Sequence, residues 1–205
     1  MLKKVLTVTT IGLFMSVMIP QTGVSAVIKE QNVLKKSNIT KTSILEGGLV
    51  IQCKTNNPSY NPSDITQVSN ASYSYVYDML EGTRLQAWTP YFIKGEEKYH
   101  INLFLVVGIV AEESGWGKSP RANNGSFNLT GHGVPKNSSK GSQFNSYEEC
   151  IYETFRLISE DYIQPNGKYH CGGKSIYNVN DVYSANKLWS SNINSIVSNL
   201  MNKKQ

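Results

Sequence analysis

The hydrophobic pattern of the chain changes twice along its length, and each change predicts a different use of the segment. Lys3 and Lys4 precede an apolar stretch from Val5 to Ile19, followed by Pro20 and the small-residue end Gly23 to Ala26. That order predicts a secretory signal peptide over residues 1–26, cut after Ala26, because the apolar stretch is short for a membrane span. The other reading is an uncleaved anchor. Both place the remainder outside the membrane. From Val27 to Gln67 the apolar rhythm is lost; the segment is rich in Asn and Ser and broken by NNPSYNPSD at Asn56 to Asp64. It reads as a polar linker or arm over residues 27–67, with GGLVIQC at Gly47 to Cys53 offering one short strand.

A helical period then takes over. Tyr75, Val76, Met79 and Leu80 recur at roughly helical spacing before Gly82 supplies a stop. Thr89-Pro90 opens a second helix, Thr89 as its N-cap and proline at the first turn where its missing N–H is not needed. Asn102 caps LFLVVGIVAEES, a segment apolar on nearly every side and therefore a central helix surrounded by others. Gly115 and Gly117 can adopt the backbone conformations that end it. After an Asn-, Ser- and Gly-rich loop, Ser146 and Glu149 have the spacing of a capping box, and Ile151, Phe155, Ile158 and Tyr162 share one face. Trp189, Ile193, Ile196, Val197 and Leu200 mark a last helix. Strands find room only in the loop region and in KYHCGGKSIY at Lys168 to Tyr177. The expected class is α+β, mostly α, with its domain over residues 68–205.

Composition narrows this picture. The 205 residues suggest one domain with an appendage, long enough to bury a core. Loss of Lys3 and Lys4 lowers the formal charge from +5 to +3, a mild excess that suits an anionic surface such as a cell wall or membrane. Lysines are scattered without interleaved aromatics, which argues against nucleic acid as a partner. Of the three cysteines, Cys53, Cys150 and Cys171, one is left over if Cys150 and Cys171 bridge. His100, His132 and His170 stand apart and no metal-ligand spacing occurs, so no metal is expected. A cysteine with one of these histidines remains a weaker catalytic reading.

The chemistry concentrates in VVGIVAEESGWGKSPRA, Val106 to Ala122, where Glu112 and Glu113 end the apolar helix. Adjacent helical residues point about 100° apart, so one carboxylate can face solvent while its neighbour faces a cleft. A carboxyl walled by Val110, Ala111 and Trp116 loses hydration and favours its protonated form. The negative end of the helix acts in the same direction. Such a group can hand a proton to a leaving oxygen; the alternative is an ordinary solvated glutamate at a helix end.

The run from Met79 to Ala122 resembles the start of the N-acetylglucosaminidase domains of bacterial peptidoglycan hydrolases, glycoside hydrolase family 73. It carries Leu-x-Gly-Thr-x-Leu, an acidic helix ending in Tyr-x-Ile-Asn, and an apolar helix ending in Glu-Ser-Gly-Trp-Gly-x-Ser. NLTG at Asn128 to Gly131 sits where that family has Asn-Leu-Phe-Gly. FNSYEECIYE at Phe144 to Glu153 and VNDVYSANKLWSSNINSIVSNLM resemble its later segments. The resemblance implies a lysozyme-like helical domain with a small loop/β lobe beside a cleft, cutting the β-1,4 bond after N-acetylglucosamine in wall glycan. It implies a secreted enzyme at the cell wall or cell surface, a monomer acting on peptidoglycan strands without a cofactor. Glu113 matches the general acid, and Tyr183 a tyrosine that places the acetamido group or the reacting water, with core packing as its alternative. Trp116 is a candidate sugar contact or a wedge against the core, and Asn128 a cleft residue or a turn residue.

One departure stands out. Phe127 to Tyr147 contains neither Asp nor Glu, although many relatives carry a second acid there. Glu148 is the nearest substitute and Asp161 a more distant one; the substrate's own acetamide as nucleophile would need neither. Two other functions compete: a lytic transglycosylase, whose usual Gly-Leu-Met-Gln segment is absent, and a non-catalytic wall-binding protein of the same fold.

Overall fold

Residues Leu103–Ala111, apolar on every side, are also buried on every side. A computed structural model describes residues 57–134 and 141–203 and, before them, the backbone of four short strands. The chain divides into two units, Met1–Asn57 and Pro58–Gln205. In the first, β1 (Val5–Thr10) pairs antiparallel with β2 (Leu13–Met18), and β3 (Thr42–Ile44) with β4 (Val50–Gln52). Val5 lies opposite Met18 and Thr42 opposite Gln52. The expected signal segment thus contributes the first hairpin, rich in the Val and Thr that suit strands, and β4 falls in GGLVIQC. The cleavage position at Ala26 and the side chain of Cys53 lie outside the described residues.

The second unit begins at Pro58, earlier than the boundary expected at residue 68, because the end of the polar arm is tied into the domain. Ile65 is fully buried, its N–H donates to Lys174 O at 2.9 Å, and its carbonyl accepts from Asn102 N at 2.8 Å. Among the described residues seven helices follow, α1 (Tyr73–Met79), α2 (Thr89–Tyr99), α3 (Leu103–Ser114), α4 (Pro120–Asn123), α5 (Tyr147–Arg156), α6 (Ile176–Tyr183) and α7 (Trp189–Asn202). A 3-10 turn over Arg84–Trp88 runs directly into α2, and a π-helical turn over Leu157–Ile163 extends α5. None of the described helices is long and apolar enough to cross a membrane.

α3 is the axis of the unit, flanked by α2, α5 and α7. Its closest crossing is with α7 at Gly108, where an added Cβ would come within 2.7 Å of Ile193 Cγ2. α2 and α5 meet in the same way at Gly95, where a side chain would overlap the ring of Phe155. Both helix pairs, α3 with α7 and α2 with α5, therefore owe their close approach to a missing side chain.

Three expectations are adjusted. Thr89 does not cap α2: the preceding turn places it inside the helix, and its hydroxyl donates to Gln86 O at 2.8 Å. Ser146 does cap α5, accepting from Glu149 N at 3.1 Å, but the Glu149 carboxylate turns to Asn145 N at 2.6 Å and not to the cap residue. Cys150 and Cys171 are free thiols and not a bridge; Cys150 Sγ accepts from Leu129 N at 3.3 Å and Cys171 Sγ donates to Gly173 O at 3.2 Å.

The architecture is mostly α, as expected. Among the described residues of the second unit, the regions offered for strands are loop. Around Lys168 to Ser175 the backbone N–H groups of Tyr169 and Cys171 reach Asp161 O and Tyr162 O at 2.8 and 2.9 Å, so the π-helical turn takes the donors that a strand would need.

Candidate active site

The Glu-Ser-Gly-Trp-Gly run builds the site by stopping α3 abruptly. Gly115, Trp116 and Gly117 are all left-handed, with φ of 54°, 61° and 76°. Ser114, fully buried, fastens this reversal: its Oγ accepts from Gly117 N at 2.7 Å, and its carbonyl accepts from Ser119 N at 2.8 Å. Gly117 packs so closely on Trp88 that a Cβ would lie 2.8 Å from Cη2. The strain of a tryptophan at positive φ is held by these contacts. The next chain segment, α4, is thereby folded back beside the end of α3.

The two adjacent glutamates are sorted as their helical positions predict. Glu112 Oε1 accepts from Asn192 Nδ2 at 2.7 Å in an exposed contact. Glu113 is half-buried, and its Oε1 accepts from the indole Nε1 of Trp189 at 2.9 Å. Burial pushes the Glu113 carboxyl above the ordinary carboxylate range; the Trp189 hydrogen bond and the Arg121 charge pull it down, and Glu112 pushes it up. An indole N–H only donates, so Oε1 accepts from it, and Oε2 is the oxygen left without a hydrogen bond among the described residues.

Tyr183, on the last turn of α6, stacks on Trp189 with ring centroids 4.6 Å apart and 28° between planes. Its hydroxyl is driven far above the ordinary tyrosine range by burial and then by the charge of Glu113, so it remains a neutral donor at any working pH. Tyr162 continues the aromatic wall at 5.8 Å. Glu113 and Tyr183 are therefore brought together, with Trp189 between them and Arg121 acting on both.

The other candidates are placed elsewhere. Asn128 is fully buried and turned away from any cleft: its Nδ2 donates to His132 O and Ser142 O, both at 2.9 Å, and its Oδ1 accepts from His132 N at 3.0 Å. All of its hydrogen-bonding capacity except one lone pair closes the loop, so it shapes the lobe from within. Trp116 is half-buried and packs against the core. Glu148 lines a cavity of about 530 Å³ with Tyr99, Phe144 and Tyr152, and Glu113 is not part of its wall. Asp161 is held by Arg156 at 3.0 Å in a group with Glu153 and Glu160.

Sequence reasoning missed the partners of Glu113. Trp189 reads as an apolar residue on the face of α7, and the one signal to the contrary is its N–H, which a buried indole must satisfy. Arg121 carries no sequence signal beyond its charge.

No family model and no curated protein sequence matches the chain. Solved structures do. Staphylococcus aureus autolysin E, crystallised in complex with the muropeptide NAM-L-Ala-D-iGlu, superposes with a TM-score of 0.57 at 20% identity, over 85% of this chain and 90% of that one. A catalytic Glu-to-Ala mutant of the same protein, in complex with the disaccharide NAG-NAM, gives 0.57 at 19% identity over 85% and 90%. A further crystal structure of the same protein gives 0.57 at 20%, over 82% and 88%. The chain therefore has the mostly α, lysozyme-like fold of these autolysin structures.

Proposed function

We propose that the chain is a secreted peptidoglycan hydrolase that cuts the β-1,4 bond after N-acetylglucosamine, with Glu113 as general acid. The observation that carries this reading is the Glu113 carboxyl itself. It is half-desolvated at the end of a buried helix, is anchored through Oε1 and has Oε2 without a hydrogen bond among the described residues. Such a group keeps its proton closer to neutrality than an ordinary glutamate and can aim it at a glycosidic oxygen. Oε2 gives that proton to the leaving oxygen as the C1–O bond breaks, and the electron pair departs with the oxygen. Positive charge then develops on the sugar ring beside the neutral hydroxyl of Tyr183.

Support from the fold is of a second kind. The neighbouring autolysin E structures hold a muropeptide and a NAG-NAM disaccharide, which are fragments of the glycan and stem peptide proposed here as substrate. Glu112 is the carboxylate whose charge acts on Glu113, and it lies on the same helix and not across a cleft. That favours the substrate's acetamide as the nucleophile, oriented by Tyr183, over a second enzymic carboxylate. Residues 1–26 act as the export signal in this reading. The mild positive charge of +3 left by their removal favours the anionic wall, where the protein works as a monomer without a cofactor.

Digestion of purified peptidoglycan by the mature protein, with mass analysis of the new ends, tests the proposal. Reducing N-acetylglucosamine ends are expected, and Glu113→Gln should lower their release by roughly 10²–10⁴-fold, the usual range for general acid catalysis. Undiminished release by that variant would overturn the assignment. Anhydro-muramic ends would move the enzyme to the transglycosylases, and binding without turnover would make it a wall-binding protein.

A further inference from the structure

Arg121 is the cation of the site, and nothing structural accounts for it. It sits on α4, the four-residue helix folded back by the Gly-Trp-Gly reversal, and its carbonyl is fixed by Ser126 Oγ at 3.0 Å. Its Nε is buried without a hydrogen-bond partner, and no carboxylate lies within ion-pair distance of it among the described residues. Its guanidinium rests on the bare backbone of Gly131, where an added Cβ would stand 3.3 Å from Nη2 and 3.4 Å from Cζ. Arg121 is half-buried, and its buried Nε is a donor without an acceptor, which is destabilising in a resting protein. Its charge nevertheless reaches both Glu113 and Tyr183.

We propose that Arg121 is a positioning residue whose fixed charge stabilises the carboxylate that Glu113 becomes on protonating the glycosidic oxygen. The inference rests on the hydrolase reading, because it gives Glu113 the role of acid. Burial favours the protonated form of the Glu113 carboxyl in the resting enzyme, and the guanidinium makes no ion pair there among the described residues. Once Oε2 has released its proton, the new carboxylate keeps the Trp189 N–H as donor and is acted on by the Arg121 charge, in a setting that burial has made less polar than water. The proton ends on the departing sugar oxygen, and Arg121 stays charged throughout. The groups facing Glu113 from the surrounding elements are Glu112 on α3, Arg121 on α4, Tyr183 on α6 and Trp189 on α7. Of these, Arg121 alone is positively charged.

The test compares Arg121→Met and Arg121→Gln, which remove the charge, with Arg121→Lys, which keeps it. The Glu113 carboxyl is titrated by NMR of protein labelled at the glutamate carboxyl carbon, and Glu113→Gln identifies its resonance. Loss of the charge should move the titration, and the basic limb of the kcat/KM profile, up by about one pH unit. It should lower kcat about tenfold with KM nearly unchanged, and Arg121→Lys should restore most of both. An unmoved titration in either charge-removing variant would overturn the proposal, and so would a raised KM at unchanged kcat, which would make Arg121 a substrate-binding group. Turnover that requires Glu113 but ignores the charge at position 121 would sink this inference alone. Absence of turnover in the wild type would sink the hydrolase reading with it.

Discussion

The two ends of α3 each hold a desolvated glutamate, and the pair shows how desolvation can accompany opposite hydrogen-bonding arrangements. At the first end, Glu96 reaches over from α2. Its Oε1 accepts from Leu103 N and Ser69 N and its Oε2 from Ser69 Oγ, all at 2.8 Å. At the other end Glu113 accepts one hydrogen bond, from Trp189. Burial pushes both carboxyls above the ordinary range. Glu96, however, has three donors aimed at it and faces the end of a helix dipole that favours an anion. It is a structural joint that ties the start of the domain to α3. Glu113 lies at the unfavourable end and keeps one oxygen unengaged. Desolvation alone is therefore shared by both groups; what distinguishes Glu113, the acid proposed above, is an oxygen left without a partner among the described residues.

The largest expected effect follows directly. Glu113→Gln should cost roughly 10²–10⁴-fold in turnover and leave folding intact, whereas Glu96→Gln should leave turnover per folded molecule unchanged. Equal losses of activity in the two variants would remove the distinction.

Next in size is the stability counterpart. Glu96→Ala strips the acceptor from Leu103 N, Ser69 N and Ser69 Oγ in a region 8% exposed or less. Leaving buried donors unpaired costs about 1–3 kcal/mol each, and some of them will relax toward water, so a net loss of about 3 kcal/mol is expected. Urea unfolding of the two proteins measures it. A loss below about 1 kcal/mol would show that Glu96 is dispensable at this junction.

Part of this contrast could be read in the sequence and part could not. The central helix, its Asn102 cap and its Gly115 stop were legible because they depend on local chemistry: an unbroken apolar run, an Asn oxygen within reach of Phe104 N, and a glycine free to take positive φ. The sorting of Glu112 from Glu113 followed from helical geometry together with a resemblance. α6 was not foreseen. It is short, and its capping box pairs Ser175 with Asn178 in place of the usual acid or glutamine, so nothing local set it apart from the turn-rich segment before it. The partners of both glutamates were hidden for a different reason. Glu96 meets Ser69 and Glu113 meets Trp189 only after the chain has folded, and no periodicity records such contacts. Asn128 shows the same limit: a polar residue in a polar loop reads as a cleft contact until the carbonyls of His132 and Ser142 are seen to take it.

A smaller effect would sharpen the comparison at the reactive end. Trp189→Phe keeps a ring to stack on Tyr183 but removes the donor to Glu113 Oε1. Because that hydrogen bond favours the ionised form and holds the carboxyl's pKa down, its loss should raise the Glu113 titration further and free the carboxyl to rotate. About a tenfold fall in kcat is expected, with KM nearly constant. A variant that matched the wild type in kcat would show that the proton on Oε2 needs no anchor.

The smallest expected effect concerns stability and pH, and it isolates Glu113 from Glu96. Both carboxyls titrate higher in the folded chain than in the unfolded one. Each therefore favours the folded state fully at pH values below about 4, and that contribution is lost as pH rises through the folded value. Glu113→Gln replaces a titrating group by one that is always neutral, while Glu96 is common to both proteins and cancels in the difference. The variant and the wild type should melt together near pH 4. As pH rises toward 7 the wild type has to ionise a desolvated group or hold its proton against solvent, and the variant does neither. The melting temperature of Glu113→Gln should then exceed that of the wild type by about 1–3 °C, a modest gap for a chain of this size. Thermal melts of both proteins across that range read the difference directly. A gap that stayed constant with pH would mean that Glu113 titrates at its ordinary value, and the two ends of α3 would then differ in hydrogen bonding without the shared burial that makes their comparison informative.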